Sequence, residues 1–218
     1  MLTIVIPALN AATSLAACLA AIDGADELLV VDGGSTDDSA GIAERVGARV
    51  IAAPRGRGTQ LRAGGEAARG DWLLFLHADT RLGAGWLEAV AVHIAAAPDR
   101  AGYFDLRLDD NAWQARVIER GVESRVRLFG LPYGDQGLLI SRRLYNEVGG
   151  FRPLALMEDV DLARRIGRHR LRRVDATALT SADRWRRDGW LRRSGRNLTC
   201  LALYGLGMAP TRLARFYR

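Results

Sequence analysis

Phe75–Leu82 reads FLHADTRL, an apolar run that stops at a histidine, a small residue and an aspartate. Together with Trp72–Leu74 the run is too short for a helix and is bounded by turn-forming residues, so it predicts a buried strand over Trp72–Leu76. Open α/β sheets bind ligands in the crevice outside the carboxyl ends of their strands. Asp79 therefore stands where such a sheet would do chemistry. Outward from this stretch, the first half of the chain alternates short apolar runs with alanine-rich segments of helical spacing. Strands are expected at Leu2–Ile6, Glu27–Val31 and Arg49–Ala52, and helices at Thr13–Ile22, Ser39–Val46 and Thr59–Arg69. The pattern predicts an α/β fold with a mainly parallel central sheet flanked by helices.

Beyond a helix expected at Gly85–Ala97 the alternation loosens. A strand-like YFDLRL is followed by an amphipathic helix over Trp113–Phe129, the turn LPYGDQG, a short strand Gly137–Ile140, and a helix opening at MEDVDLARRI. Less regular segments, richer in turns and aromatics, suit the acceptor-shaping half of an enzyme. The expected division is a catalytic domain over 1–175, with a nucleotide-binding half (1–100) and an acceptor half (101–175). A basic helical extension over 176–218 packs on it. Asn197–Met208 is apolar for about a dozen positions before Pro210, short of the ~20 residues of a membrane span. Packing against the domain and lying at a membrane surface, arginines at headgroup level, are the two readings of that segment.

At 218 residues and 49% hydrophobic composition the chain can bury one sizeable core. All 31 basic residues are arginine. Without lysine, a Walker A loop, a Schiff-base enzyme and a protein kinase are excluded. Through Ala163 the arginines and acids number 16 and 22, a net −6; from Arg164 onward they number 15 and 3, a net +12. So basic a tail fits a solvated surface, an anionic membrane surface or a phosphorylated ligand. Nucleic acid is not expected as a partner, because no stacking aromatics or recognition motif accompany the arginines. Cys18 and Cys200 stand alone, without disulfide or zinc spacing. They suit a reducing cytoplasm, and MLTIVIPALN reads as a first strand rather than a signal peptide.

The residues following the strands are PALN, DGGSTDDS, APRGRGTQLRAG and HADT. Acids, glycines and arginines at strand ends suit a nucleotide with a divalent cation. Asp79 offers hard oxygen to Mg²⁺ or Mn²⁺, and one carboxylate suffices because such a cation keeps waters and takes phosphate oxygens. Its bland alternative is an Asx turn. Asp32 precedes the cap position of the next helix, and its carboxylate suits a base N–H or a ribose hydroxyl. Gly33 and Gly34 behind it permit close approach. Ser39 or Asp38 can simply cap that helix. Arg55, Arg57 and Arg62 suit phosphate or sugar contacts, surface exposure being the alternative. Gly56-x-Gly58-x-x-Leu61 lacks the third glycine of a dinucleotide fingerprint and follows the third strand, not the first. Glu158, Asp159 and Asp161 fall in the first turn of a helix, where the dipole favours acids in any case. One of them could also take a proton from an attacking hydroxyl.

In this order, IPALN, VVDGGSTDDS, RGRGTQLRAG, FLHADT, GDQGLLISRRLYNEVGGF and MEDVDLARRI resemble the family 2 glycosyltransferases, inverting enzymes of the GT-A fold. The resemblance spans roughly Leu2–Val174, and its wording is similar to a bacterial subgroup related to carotenoid-acid glucosyltransferases. It implies that Pro7 and Asn10 of IPALN, with Asp32 and Gly34, hold the uracil and ribose of a UDP-sugar, with Arg57, Arg62 and His77 on the same donor. It implies Asp79 as ligand to a Mn²⁺ or Mg²⁺ on the diphosphate, and Asp159, paired with Glu158, as catalytic base. His77 occupies the place of the first acid of the family's Asp-x-Asp motif. Asp135 and Gln136 fall on the acceptor side. SADRW resembles the Q-x-x-R-W element with Ser181 in place of glutamine, so Arg184 and Trp185 can line the acceptor side without implying processive synthesis. The implied acceptor is a lipid or small molecule, and the implied location is cytoplasmic or peripheral at the inner membrane face. Two alternatives stay open: a nucleotidyltransferase, whose glycine loop and assisting lysine do not match here, and a non-catalytic nucleotide-sugar-binding protein.

Overall fold

The computed structural model describes residues 1–217. In chain order its elements are β1 (Leu2–Ala8), α1 (Ala12–Ala20), β2 (Glu27–Asp32), α2 (Ser39–Arg45), β3 (Arg49–Ala52), α3 (Arg57–Ala67) and β4 (Trp72–Phe75). They continue with β5 (Thr80–Leu82), α4 (Trp86–Ala96), β6 (Ala101–Leu108), α5 (Trp113–Phe129), β7 (Leu138–Ser141), α6 (Arg142–Glu147) and α7 (Glu158–Ile166). The chain then forms β8 (Leu171–Thr180), α8 (Asp183–Asp188), α9 (Trp190–Gly205) and α10 (Pro210–Tyr217). The expected strands and helices of the first half are present with ends displaced by at most two residues.

One eight-stranded sheet runs β3-β2-β1-β4-β7-β6-β8-β5. Its first four strands are parallel; β7 is antiparallel to both its neighbours, and β8 is parallel to β6 and antiparallel to β5. β1 lies between β2 and β4, pairing Ala8 with Asp32 and Val5 with Phe75. Asp32 and Asp79 thus leave the same carboxyl edge of the parallel half, one strand apart rather than on adjacent strands.

Strand side chains alternate between faces, and both faces of a parallel sheet are covered. Ile4, Ile6 and Leu74 pack with Leu15 and Cys18 of α1 and Trp86 and Val90 of α4. Val5, Leu73 and Phe75 pack on the other face with Leu61 of α3, Tyr145 of α6 and Leu162 of α7. Burying each large apolar side chain contributes roughly 1.5–3 kcal/mol. Helix α3 lies so close to the sheet that a Cβ at Gly64 would stand 2.3 Å from Val5 Cγ1 and 2.9 Å from Val31 Cγ2.

β8 was not expected as a strand: in LRRVDATALT the consecutive Arg172 and Arg173 are both exposed, as is Asp175, which masks its alternation. It pairs with β6 from Ala101↔Leu171 to Leu108↔Thr180, across a bulge between Tyr103 and Asp105. The expected domain boundary at 175 therefore falls inside a sheet strand, and the sheet runs on to Thr180. Beyond it, Cys200 of α9 and Leu213 of α10 bury against Met157, which precedes α7, and Val160 of α7. Asp188 accepts hydrogen bonds from Arg187, Arg193 and Arg196, which hold its carboxyl down at about 2. Among the described residues no helix is long and apolar enough to cross a membrane.

Candidate active site

Three cavities that share lining residues run from the carboxyl edge of the parallel strands to the C-terminal helices. The first, of about 400 Å³, is bounded by Pro7, Asn10, Arg55, Arg57, His77 and Asp79, with Arg184 reaching in from α8. Its floor is laced together by side chains. Asn10 sits at φ 49°, its amide donates to Ser35 Oγ (2.9 Å) and its Oδ1 accepts from the Thr36 amide (2.8 Å). Asp32 accepts from the Gly34 and Ser35 amides at 3.0 and 3.1 Å and from the Ser35 hydroxyl. Its carboxylate therefore shapes the loop after β2, and neither Asp32 nor Gly34 is part of the cavity wall. Gln60, buried, donates through Nε2 to the carbonyls of Ala8 (2.7 Å) and Val31 (2.9 Å) and ties α3 to the ends of β1 and β2. Nothing in the sequence marked Gln60 as special. Arg62 faces away from the cavity and pairs with Glu66 at 2.8 Å.

Arg57 enters the site from the first residue of α3, where the preceding Gly56 takes φ 145°, a conformation that favours glycine. Its Nε donates to Glu158, and its Nη2 lies 3.7 Å from Asp159 Oδ2. Glu158 is 1% exposed. Burial raises its carboxyl above the ordinary range, against the pull of Arg57. Arg57 itself, half-buried beside two acids, stays cationic. Asp159 accepts from the Gly134 amide (2.9 Å) and from the Val160 amide (2.8 Å), so its position is fixed by the turn before β7 and by its own helix.

Asp159 lines the second cavity, of about 110 Å³, together with Arg57, His77, Asp79, Asp135 and Arg184. Arg184 Nη2 lies 3.9 Å from Asp79 Oδ2. The His77 imidazole packs against Gly134, where a Cβ would come within 2.4 Å of Nε2. Burial, then Arg57 and Arg184, hold its pKa well below the usual value, so His77 is neutral. Burial pushes the Asp135 carboxyl up to about 6; Arg125 and Arg57 oppose this, while Asp159 and Asp79 add to it. Trp185 also lines this cavity. Gln136 is buried beneath it: its Nε2 donates to the Phe104 carbonyl at 3.1 Å, anchoring the turn to β6. Asn197, Arg193 and Tyr217 complete the wall from α9 and α10, residues that the sequence placed in an appended tail.

The donor set offered to a cation is sparse. Among the described residues no three His, Cys, Asp or Glu side chains are grouped to hold a metal. Asp79 is a carboxylate beside a neutral imidazole, which fits a Mg²⁺ or Mn²⁺ held by one protein carboxylate and by substrate phosphates rather than a protein cage.

Residues 3–173 match the family model "Glycosyl transferase family 2". Among curated relatives, an uncharacterized glycosyltransferase of Mycobacterium tuberculosis is 41% identical over 98 residues, 44% of this chain and 45% of the relative. A PGL/p-HBAD biosynthesis glycosyltransferase of the same species is 42% identical over 93 residues, 38% of this chain and 36% of the relative. The matches thus span less than half the length of these relatives. Among solved structures, glucosyl-3-phosphoglycerate synthase of M. tuberculosis with Mn²⁺, UDP and glucosyl-3-phosphoglycerate superposes with a TM-score of 0.59 at 22% identity, over 81% of this chain and 70% of that one. The same enzyme with Mg²⁺ and UDP gives 0.59 at 22%, over 81% and 69%. At this identity the likeness carries the fold, a GT-A-like α/β architecture.

Proposed function

Because the chain belongs to glycosyl transferase family 2, we propose that it moves a hexose from a nucleotide-diphospho-sugar to an acceptor, non-processively and with inversion. The observation that carries this reading is the convergence of Asp79, from the end of β4, and Asp159, from the first turn of α7, on one cavity that also receives Arg57 and Arg184. The adjoining cavity of about 400 Å³ takes the nucleotide, and UDP is the natural first probe because the superposed synthase holds it.

In this reading Arg55 and Arg57 meet the diphosphate and Asp79 holds the divalent cation, which offsets negative charge on the departing nucleotide. Asp159 takes the proton of the acceptor hydroxyl. The freed oxygen attacks the anomeric carbon, the bond from that carbon to the diphosphate oxygen breaks, and the electron pair leaves with the nucleotide. Gly134 and Val160 amides orient the Asp159 carboxylate, and Glu158 holds Arg57 in place. His77, neutral, adds no second negative charge beside Asp79.

The test is a panel of UDP-, GDP- and dTDP-sugars with and without Mn²⁺, followed by melting temperature and nucleotide release. A metal-dependent rise in melting temperature together with release of the nucleoside diphosphate supports transfer. Pyrophosphate release from a nucleoside triphosphate would instead identify a nucleotidyltransferase, and stabilisation without turnover a binding protein.

A further inference from the structure

A third cavity, of about 510 Å³, lies between α5 and α9 and continues from the central one. Its size falls within the range of ~300–1,000 Å³ typical of small-molecule sites. The walls are apolar: Trp113, Val117 and Leu128 on α5 face Leu191, Leu198 and Leu201 on α9. Several of these stand open to solvent, Leu191 at 87%, Trp113 at 69% and Leu198 at 65% exposure. So many large apolar side chains on one contiguous surface mark a binding site. Among the described residues the only charged groups in the lining are Asp135 and Arg125. Arg125 is already engaged, its guanidinium 3.5 Å over the Tyr133 ring and its Nε donating to the Leu131 carbonyl at 3.0 Å. A phosphorylated or polyanionic acceptor would find no free cation here.

The groove and the central cavity share four residues, Tyr133, Asp135, Trp185 and Asn197. Three of them carry a buried polar atom with no partner among the described residues: Asp135 Oδ1, Trp185 Nε1 and Asn197 Oδ1. Buried polar atoms are nearly always paired, so a cluster of two acceptors and a donor at the junction points to a ligand group that both donates and accepts. Gly121 opens the floor of the groove: a Cβ there would meet nothing within 4 Å.

We propose that the α5/α9 groove is the acceptor site for a long-chain lipid, its chain against Trp113, Val117, Leu191 and Leu198 and its polar end passing the Tyr133, Asp135, Trp185 and Asn197 collar toward Asp159. The assignment of this lipid as acceptor rests on the glycosyl-transfer reading above, and the groove as a lipid site does not. Continuity with the cavity that holds Asp159 is what favours a substrate chain over a second copy of the protein.

The test uses the whole chain and cis-parinaric acid, a linear polyene acid that fluoresces when its chain leaves water. Wild type binds it saturably, one per chain, while Gly121→Phe, which fills the groove, and Leu198→Glu, which charges an exposed position of its wall, each weaken binding at least tenfold. Both variants keep the Mn²⁺-dependent melting shift with UDP. In the second arm, UDP release from UDP-glucose is followed across primary alcohols from butanol to dodecanol, and kcat/KM rises about fourfold per methylene. Absence of saturable binding, wild-type affinity in both variants, or a flat alcohol series overturns the proposal. So does a wild-type dimer that Gly121→Phe makes monomeric without loss of polyene binding. Polyene binding by a protein that neither binds nor cleaves any nucleotide sugar would sink the glycosyl-transfer reading and the acceptor assignment with it, leaving the groove as a lipid site.

Discussion

Arg57 touches two consecutive acids, and the contact separates their roles. Glu158, buried and donated to by Nε, is neutralised in place; Asp159, 3.7 Å from Nη2, keeps a face on the central cavity. Asp159→Asn is therefore expected to leave Mn²⁺-dependent UDP stabilisation intact and to lower turnover by about 10²–10⁴, the usual contribution of a positioned base. Asp79→Ala should abolish the metal-dependent part of the UDP melting shift. Equal loss of UDP binding in both variants would contradict the division of labour. Asp135 makes a pH prediction. Its carboxyl is pushed up to about 6, against about 3.9 in an unfolded chain. Between these values the folded chain binds the proton more tightly, so the associated stability is complete below the lower value and is lost as pH rises through the upper one. Urea unfolding from pH 4 to 7 should show wild type losing about 1–3 kcal/mol relative to Asp135→Asn. Parallel pH profiles would remove Asp135 from the buried, charge-crowded position assigned to it. The position of Asp79 was legible in the sequence because it is local, an acid just past a strand, whereas Asp159 was one of three acids in a first helical turn and was singled out only by the family resemblance. The bonds of Asp32 to its own loop, and those of Gln60 to two strand ends, depend on tertiary closeness that spacing does not encode.

Helix α3 supplies the Arg57 contact only because it lies against the sheet at glycine distance. Gly64→Ala would force a methyl to within 2.3 Å of Val5 Cγ1, and overpacking of this kind costs about 1–3 kcal/mol. A urea midpoint shifted down at unchanged slope is expected, with weaker UDP stabilisation as Arg57 moves with its helix; a midpoint at the wild-type value would show that the helix is free to rise. The elements of the first half were readable because both faces of a parallel sheet are covered, which makes its strands short, apolar and sharply bounded. β8 was not. Arg172, Arg173 and Asp175 are all exposed on it, and the bulge lies in β8 itself, where Arg173–Thr177 spans only Tyr103–Asp105 of β6 and so breaks the alternation that would otherwise reveal the pairing. β5, three residues long, is a strand only by virtue of β8 beside it. The central cavity inherits the same illegibility, since Thr180 from β8 and Asn197 and Tyr217 from α9 and α10 enter it only after the sheet is assembled.

At the scale of the whole molecule, the donor and acceptor sides draw on different parts of the chain. Among the described residues the donor cavity receives nothing from beyond Arg184, whereas the central cavity and the α5/α9 groove both depend on α9. The two C-terminal helices also cover the back of α7, where Cys200 and Leu213 bury Met157 and Val160 on either side of Asp159. Ending the chain after Gly189 should therefore separate the two activities of the site. UDP with Mn²⁺ still raises the melting temperature, from a lower starting value because Met157, Val160 and Leu131 lose their cover. UDP release to an acceptor falls by more than tenfold, because the turn that carries the base loses its packing and the acceptor wall is gone. Thermal shift and UDP-release measurements on the shortened chain read these effects independently. Turnover at the wild-type rate would mean that Asp159 is positioned by Gly134 and Arg57 alone, and that the basic C-terminal helices serve some purpose other than acceptor recognition.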